Sequence, residues 1–115
     1  MYSWIRKGYP KAALTSITEG IGQSRITKNL EGIDFDGAFK VNDITALKII
    51  YELINAEGLF LGPTSGINIG GAIKLAKELG PNKTIVTVLC DSAERYTSKI
   101  FNKNFLEKNN IFIKH

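Results

Sequence analysis

Ser92 stands in the run Cys90-Asp91-Ser92-Ala93-Glu94-Arg95-Tyr96, at the end of an apolar stretch over residues 84–90. A short apolar run of that kind reads as a buried strand, and in open α/β sheets ligands bind at the carboxyl ends of strands. A hydroxyl delivered there can donate or accept one hydrogen bond. It cannot be the nucleophile of a Ser-His-Asp triad, because the single histidine is the terminal His115. Asp91, Glu94 and Arg95 read equally as a capping and ion-pair group ahead of a final helix. Cys90 reads as a packed, inert thiol, the usual state of a free cysteine closing an apolar strand.

Two glycine-bearing segments can bring backbone against a ligand. In Gly62-Pro63-Thr64-Ser65-Gly66-Ile67-Asn68-Ile69-Gly70-Gly71, Thr64 or Ser65 can cap a helix whose free N–H groups face an anion. Gly62, Gly66 and Gly70 also recur every fourth residue, which lets a helix approach its neighbour closely, so packing is the competing explanation. Neither a phosphate-loop Gly-Lys-Ser/Thr nor the dinucleotide Gly-x-Gly-x-x-Gly is present. The second segment, Ser16-Ile17-Thr18-Glu19-Gly20-Ile21-Gly22-Gln23, serves equally as a cofactor-facing loop or as an ordinary turn.

The elements that must position these groups follow from periodicity and stop signals. Residues 1–38 are irregular, punctuated by Gly8, Pro10, Gly20, Gly22, Gly32 and Gly37. Phe39-Lys40-Val41 suits a short strand. Asp43 is an N-cap candidate for a helix over 44–56, carrying Ile44, Leu47, Ile50, Tyr51 and Ile54 at helical spacing and ending at Gly58. Leu59-Phe60-Leu61 suits a second short strand, followed by a helix over about 66–79 closed by Gly80-Pro81. After the strand at 84–90, a last helix is expected from near Thr97 toward Glu107, with Ile100, Phe101 and Phe105 on its buried side. This alternation predicts an α/β domain with a partial parallel sheet, too few in strands to stand as a complete one.

Composition narrows the classes. The 115 residues make one domain at most, and 43% hydrophobic content supports a modest core. The net charge of +4 is scattered, without a basic patch interleaved with aromatics, so no nucleic-acid partner is expected. One cysteine excludes an internal disulfide framework, and no metal-ligand spacing is present. The segment up to Pro10 has no apolar core of a signal peptide, and no run of 18 apolar residues occurs, so a cytoplasmic, non-membrane protein is expected. Trp4, Tyr9 and Tyr51 read as packing or partner contacts.

Three motifs, in order, resemble the cysteine synthases. Residues 16–27 (Ser16-Ile17-Thr18-Glu19-Gly20-Ile21-Gly22-Gln23-Ser24-Arg25-Ile26-Thr27) resemble their late active-site loop. Residues 58–68 look like their strand–turn–helix, and residues 85–96 like their terminal strand and cofactor-contact turn. The resemblance runs from about Tyr2 to Phe105. It implies the C-terminal third of a pyridoxal-phosphate-dependent β-replacement enzyme with the three-layer fold of the tryptophan synthase β subunit. Residues 1–38 would then be an irregular segment with an active-site loop, and 39–115 part of the large domain. The activity implied for the full enzyme is formation of L-cysteine from O-acetylserine and sulfide.

The resemblance further implies that Ser92 hydrogen-bonds the pyridine nitrogen of pyridoxal 5'-phosphate, and that Gly20, Ile21 and Gly22 line the substrate side. The lysine that carries the cofactor, and the loop that holds its phosphate, precede the matched region. Lys7, Lys11 and Lys28 stand in none of that context. No catalytic residue and no metal ligand is therefore expected here, and the chain alone is predicted to be inactive. The expected partner is the N-terminal part of the enzyme or another chain, with homo-oligomerisation as a further form of association. The alternative is a catalytically inactive product of a truncated or split gene, acting at most as an association module. Ala93 departs from the glycine common after that serine.

Overall fold

The computed structural model describes residues 28–113, so Trp4, Tyr9 and the whole 16–27 loop lie outside the described residues. A 3-10 turn at Lys28–Leu30 is followed by a segment without regular structure. Helix α1 then spans Asp43–Glu57, helix α2 Pro63–Leu79, a 3-10 helix Ala93–Tyr96, and helix α3 Lys103–Lys108.

Helix α1 begins one residue earlier than expected, at Asp43 itself, with Asn42 as its cap. Asn42, in extended backbone, accepts from the Thr45 N–H at 2.8 Å. Asp43 therefore occupies the first turn, where its negative charge complements the helix dipole. Gly58 ends the helix as expected: at φ 69° its N–H reaches the Ile54 carbonyl, while the Leu59 N–H reaches Leu53. The buried face is Ala46, Leu47, Ile50 and Tyr51, two adjacent pairs one turn apart. Ile44, counted on that face from its spacing, is 40% exposed.

Helix α2 starts three residues earlier than expected. Gly62 is its N-cap and offers no side chain, and Pro63 supplies a preset φ in the first turn. Thr64 and Ser65 thus lie inside the first turn and are buried rather than capping. The close-approach reading of the glycine stripe holds at two positions. A Cβ on Gly66 would sit 2.5 Å from the Ala46 carbonyl oxygen of α1, and one on Gly70 would sit 2.9 Å from Val41. The missing side chains let α2 press against α1 at Gly66 and against the segment ahead of α1 at Gly70.

The sheet differs from expectation. Among the described residues no strand forms, and residues 39–41, 59–60 and 84–90 take no regular structure. Pairing is limited to a single antiparallel bridge between Leu61 and Ser92. A strand exists only by exchanging hydrogen bonds with a neighbour, and no described segment supplies a ladder to residues 84–90. Val86 is 88% exposed and Val88 65% exposed. Cys90, expected to be packed, is exposed for the same reason.

The last element also departs from its outline. The chain is helical in two short pieces, divided at Asn102, whose extended backbone and side-chain bond to the Phe105 N–H at 3.2 Å start α3 afresh. The apolar positions of that region were read correctly. Ile100 is fully buried, and Phe101 and Phe105 pack against the core. That core joins Leu47, Ile50 and Tyr51 of α1 to Ala93, Tyr96, Ile100, Leu106 and Ile111. The Tyr51 hydroxyl donates to the Ile100 carbonyl, and the Tyr51 and Phe101 rings meet edge to face at 5.3 Å.

Candidate cofactor-contact turn

The turn bearing Ser92 is built by two segments that run antiparallel for three residues. The Gly62 N–H donates to the Asp91 carbonyl at 2.9 Å, and the Ala93 N–H donates to the Phe60 carbonyl at 3.0 Å. These bonds bracket Ser92 on both sides and tie it to the residues that open α2. A Cβ on Gly62 would lie 3.0 Å from the Tyr96 ring, 3.2 Å from the Asp91 Cβ and 3.4 Å from the Ser92 carbonyl oxygen. A side chain at 62 would be tight against Tyr96 and Asp91, so glycine eases the contact between the two turns.

Ser92 is the N-cap of the 3-10 helix Ala93–Tyr96, with extended backbone at φ −79°, ψ 160°. Its side chain makes no capping bond, and the residue is exposed. The hydroxyl is thus presented at the surface of a turn whose backbone is fixed. Asp91, beside it, accepts from the Tyr96 hydroxyl at 2.7 Å. Arg95 approaches the same Asp91 oxygen at 3.8 Å and lies 5.8 Å over the Tyr96 ring. With the Arg95 side chain 73% exposed, that ion pair contributes little.

Two further residues set the approach to this turn, and sequence reading missed both roles. Ser65, fully buried on α2, accepts from the Cys90 N–H at 3.1 Å. Asn68, one turn along, donates to the Val88 carbonyl at 2.9 Å and contacts the Cys90 sulfur at 3.5 Å. Their i, i+3 spacing places them on one helix face, and that was the available signal. Together they fasten residues 88–90 to α2, so Ser92 leaves a segment already anchored.

The structure therefore brings the Gly62 turn and Ser92 together. Neither Thr64 nor Ser65 caps α2 as expected: both are buried inside its first turn, and Ser65 is spent on Cys90. Gly20, Ile21 and Gly22 lie outside the described residues. Lys28 is exposed on its 3-10 turn. A surface hollow of about 440 Å³ lies along α1, lined by Lys48, Tyr51, Glu52, Asn55, Phe112 and Ile113, and does not include Ser92. Among the described residues no cluster of three or more His, Cys, Asp or Glu can hold a metal ion. Among them, too, no helix is long and apolar enough to cross a membrane.

No protein-family model matches the chain. Individual relatives do. A cysteine synthase of Dictyostelium discoideum is 40% identical over 120 residues, covering 96% of this chain and 32% of its own. Cysteine synthase 1 of Neurospora crassa is 42% identical over 99 residues, covering 84% of this chain and 26% of its own. The chain belongs with the cysteine synthases, as their C-terminal part. It spans about a quarter to a third of the length of these curated relatives. Among solved structures, a hydrogen sulfide-producing enzyme in complex with an α-aminoacrylate intermediate superposes with a TM-score of 0.76 at 26% identity. That match covers 97% of this chain and 31% of the other. The chain thus shares its overall backbone course with part of that enzyme.

Pyridoxal 5'-phosphate is the cofactor of the full-length enzymes of this family. The turn fits one contact to such a group. It offers an exposed, neutral hydroxyl, uncommitted to capping, on a backbone fixed by flanking hydrogen bonds.

Proposed function

We propose that this C-terminal portion of a cysteine synthase would supply a hydrogen-bonding hydroxyl to the cofactor ring in β-replacement, converting O-acetylserine and sulfide to L-cysteine once the rest of the fold is present. When bound, pyridoxal phosphate supplies the electron sink for that replacement. Ser92 donates its hydroxyl hydrogen to the ring nitrogen. A neutral hydroxyl places no negative charge beside that nitrogen and does not favour a proton on it. This suits expulsion of a good leaving group such as acetate.

One hydrogen bond contributes only about 1 kcal/mol net, so Ser92 by itself does not retain the cofactor. The lysine and the phosphate-holding backbone come from the remainder of the fold, in the same polypeptide or from another chain. Gly20, Ile21 and Gly22 are assigned to the substrate side, residues 1–38 to an irregular segment with that loop, and 39–115 to part of the large domain. In this arrangement residues 84–90 become a strand of a parallel sheet. The observation that carries the proposal is the uncommitted Ser92 hydroxyl on its bracketed turn.

A second reading is favoured by the exposed Val86, Val88 and Leu89: the chain is catalytically silent and acts only by associating through that edge. Apolar patches of this kind mark association surfaces. Mixing the chain with pyridoxal phosphate and the complementary N-terminal part of the Dictyostelium relative separates the two. Cofactor absorbance and cysteine formation in the mixture, absent from either part alone, support the first reading. A complex that forms without binding cofactor supports the second.

A further inference from the structure

We infer that Tyr96 and Asp91 are positioning residues for Ser92, joined across it by a hydrogen bond that holds the backbone from which its hydroxyl projects. The inference rests on reading Ser92 as the cofactor-facing group. Ser92 lies in a single isolated bridge, and its two backbone hydrogen bonds have no ladder on either side to support them. An isolated bridge of this kind opens easily unless something else closes it.

The added closure is on the page. Tyr96 is 5% exposed, and its ring edge occupies the space a Cβ on Gly62 would need. Its hydroxyl donates to the Asp91 carboxylate at 2.7 Å. Residues 91 and 96 flank the serine in sequence, so this bond closes a small ring of chain with Ser92 on its rim. A charged acceptor makes the bond stronger than a neutral pair would be. The Asp91 main chain is meanwhile held by the Gly62 N–H. Side chain and backbone of Asp91 are therefore both restrained, which holds the stretch of chain from which Ser92 projects.

Amide hydrogen exchange on the full chain tests this independently of the cofactor. Tyr96→Phe keeps the ring and removes the hydroxyl, while Asp91→Ala removes the acceptor. Both are expected to speed exchange of the Gly62 and Ala93 amides about fivefold, matching the loss of one hydrogen bond, and to leave the Ile50 amide of α1 unchanged. Asp91→Asn retains an acceptor oxygen and should restore most of the protection. Unchanged exchange at Gly62 and Ala93, or an equal rise at Ile50, would overturn the assignment, the second result making the pair ordinary core.

In the complex with the complementary N-terminal part, Tyr96→Phe should weaken pyridoxal phosphate retention in parallel with Ser92→Ala. It should add little when combined with that change. Full additivity of the two would also overturn the assignment. Failure of the unsubstituted complex to take up cofactor would instead remove the cofactor-facing reading of Ser92, and with it the purpose inferred for the bond.

Discussion

Residues 84–90 and helix α1 are both rich in aliphatic side chains, yet they meet opposite environments. Ile50 and Leu47 are almost wholly buried, whereas Val86, Val88 and Leu89 stand in solvent. The difference is one of partners. An amphipathic helix satisfies its own backbone and needs only one apolar face beside it, which α2 and the C-terminal residues provide. A central strand needs hydrogen-bonding neighbours on its edges and cover on its faces. The comparison teaches that the first region finds its partners within the described residues and the second does not, which fits the proposed place of residues 84–90 in a larger fold.

The largest effect that can break this comparison lies in the helix pair. Leu47→Ala or Ile50→Ala should destabilise the chain by about 2–5 kcal/mol, because each leaves a cavity in the core. Val88→Ala should fall within about 0.5 kcal/mol of zero in the isolated chain, as surface changes do. Denaturant titration of the three variants measures the contrast, and a comparable loss from Val88→Ala would erase it.

Glycines sharpen the same contrast with opposite signs. Gly66→Ala forces a Cβ against the Ala46 carbonyl, and since backbone cannot swing aside the cost should reach about 1–3 kcal/mol. Gly71, on the same helix, has nothing within 4 Å of that position. Gly71→Ala should instead stabilise by about 0.5–1 kcal/mol through helix propensity. Paired thermal melts decide the matter, and equal signs would contradict the close helix contact.

What the sequence made legible follows from how local each signal is. Gly58 and Gly80 ended their helices where expected, because a terminating glycine is read within one turn. The apolar helix faces were largely visible, with Ile44 the exception, since exposure at a helix edge depends on what lies opposite. The caps slipped: Asn42 displaced Asp43, and Gly62 with Pro63 began α2 ahead of Thr64 and Ser65. Adjacent residues of similar capping power are separated only by backbone geometry. The strands failed as formed elements because pairing is non-local. For the candidate site, motif resemblance located Ser92, and the structure supplied what no local pattern carries: the Tyr96–Asp91 bond, the Asn68 anchor and the tight contact at Gly62. The substrate-side loop, at Gly20 to Gly22, lies outside the described residues.

A smaller effect concerns Tyr51, whose phenol is pushed above its ordinary value of 10.0 by burial. Between the unfolded and folded pKa values the folded chain holds the extra proton, so stability falls as pH rises. Its contribution should be intact below about pH 10 and be lost as pH climbs through the folded value. Tyr51→Phe should cost about 1–2 kcal/mol near neutrality, through the orphaned Ile100 carbonyl, and should remove that alkaline dependence. Stability curves for both proteins across the alkaline range check the sign.

The central claim is that residues 84–90 are an unpaired strand awaiting the remainder of a cysteine synthase fold. Amide hydrogen exchange over that segment, measured for the chain alone and with the complementary N-terminal part of the Dictyostelium relative, tests it most directly. The account predicts fast exchange at Val86 and Val88 in isolation and strong protection in the complex. Fast exchange in a complex that has demonstrably formed would contradict it.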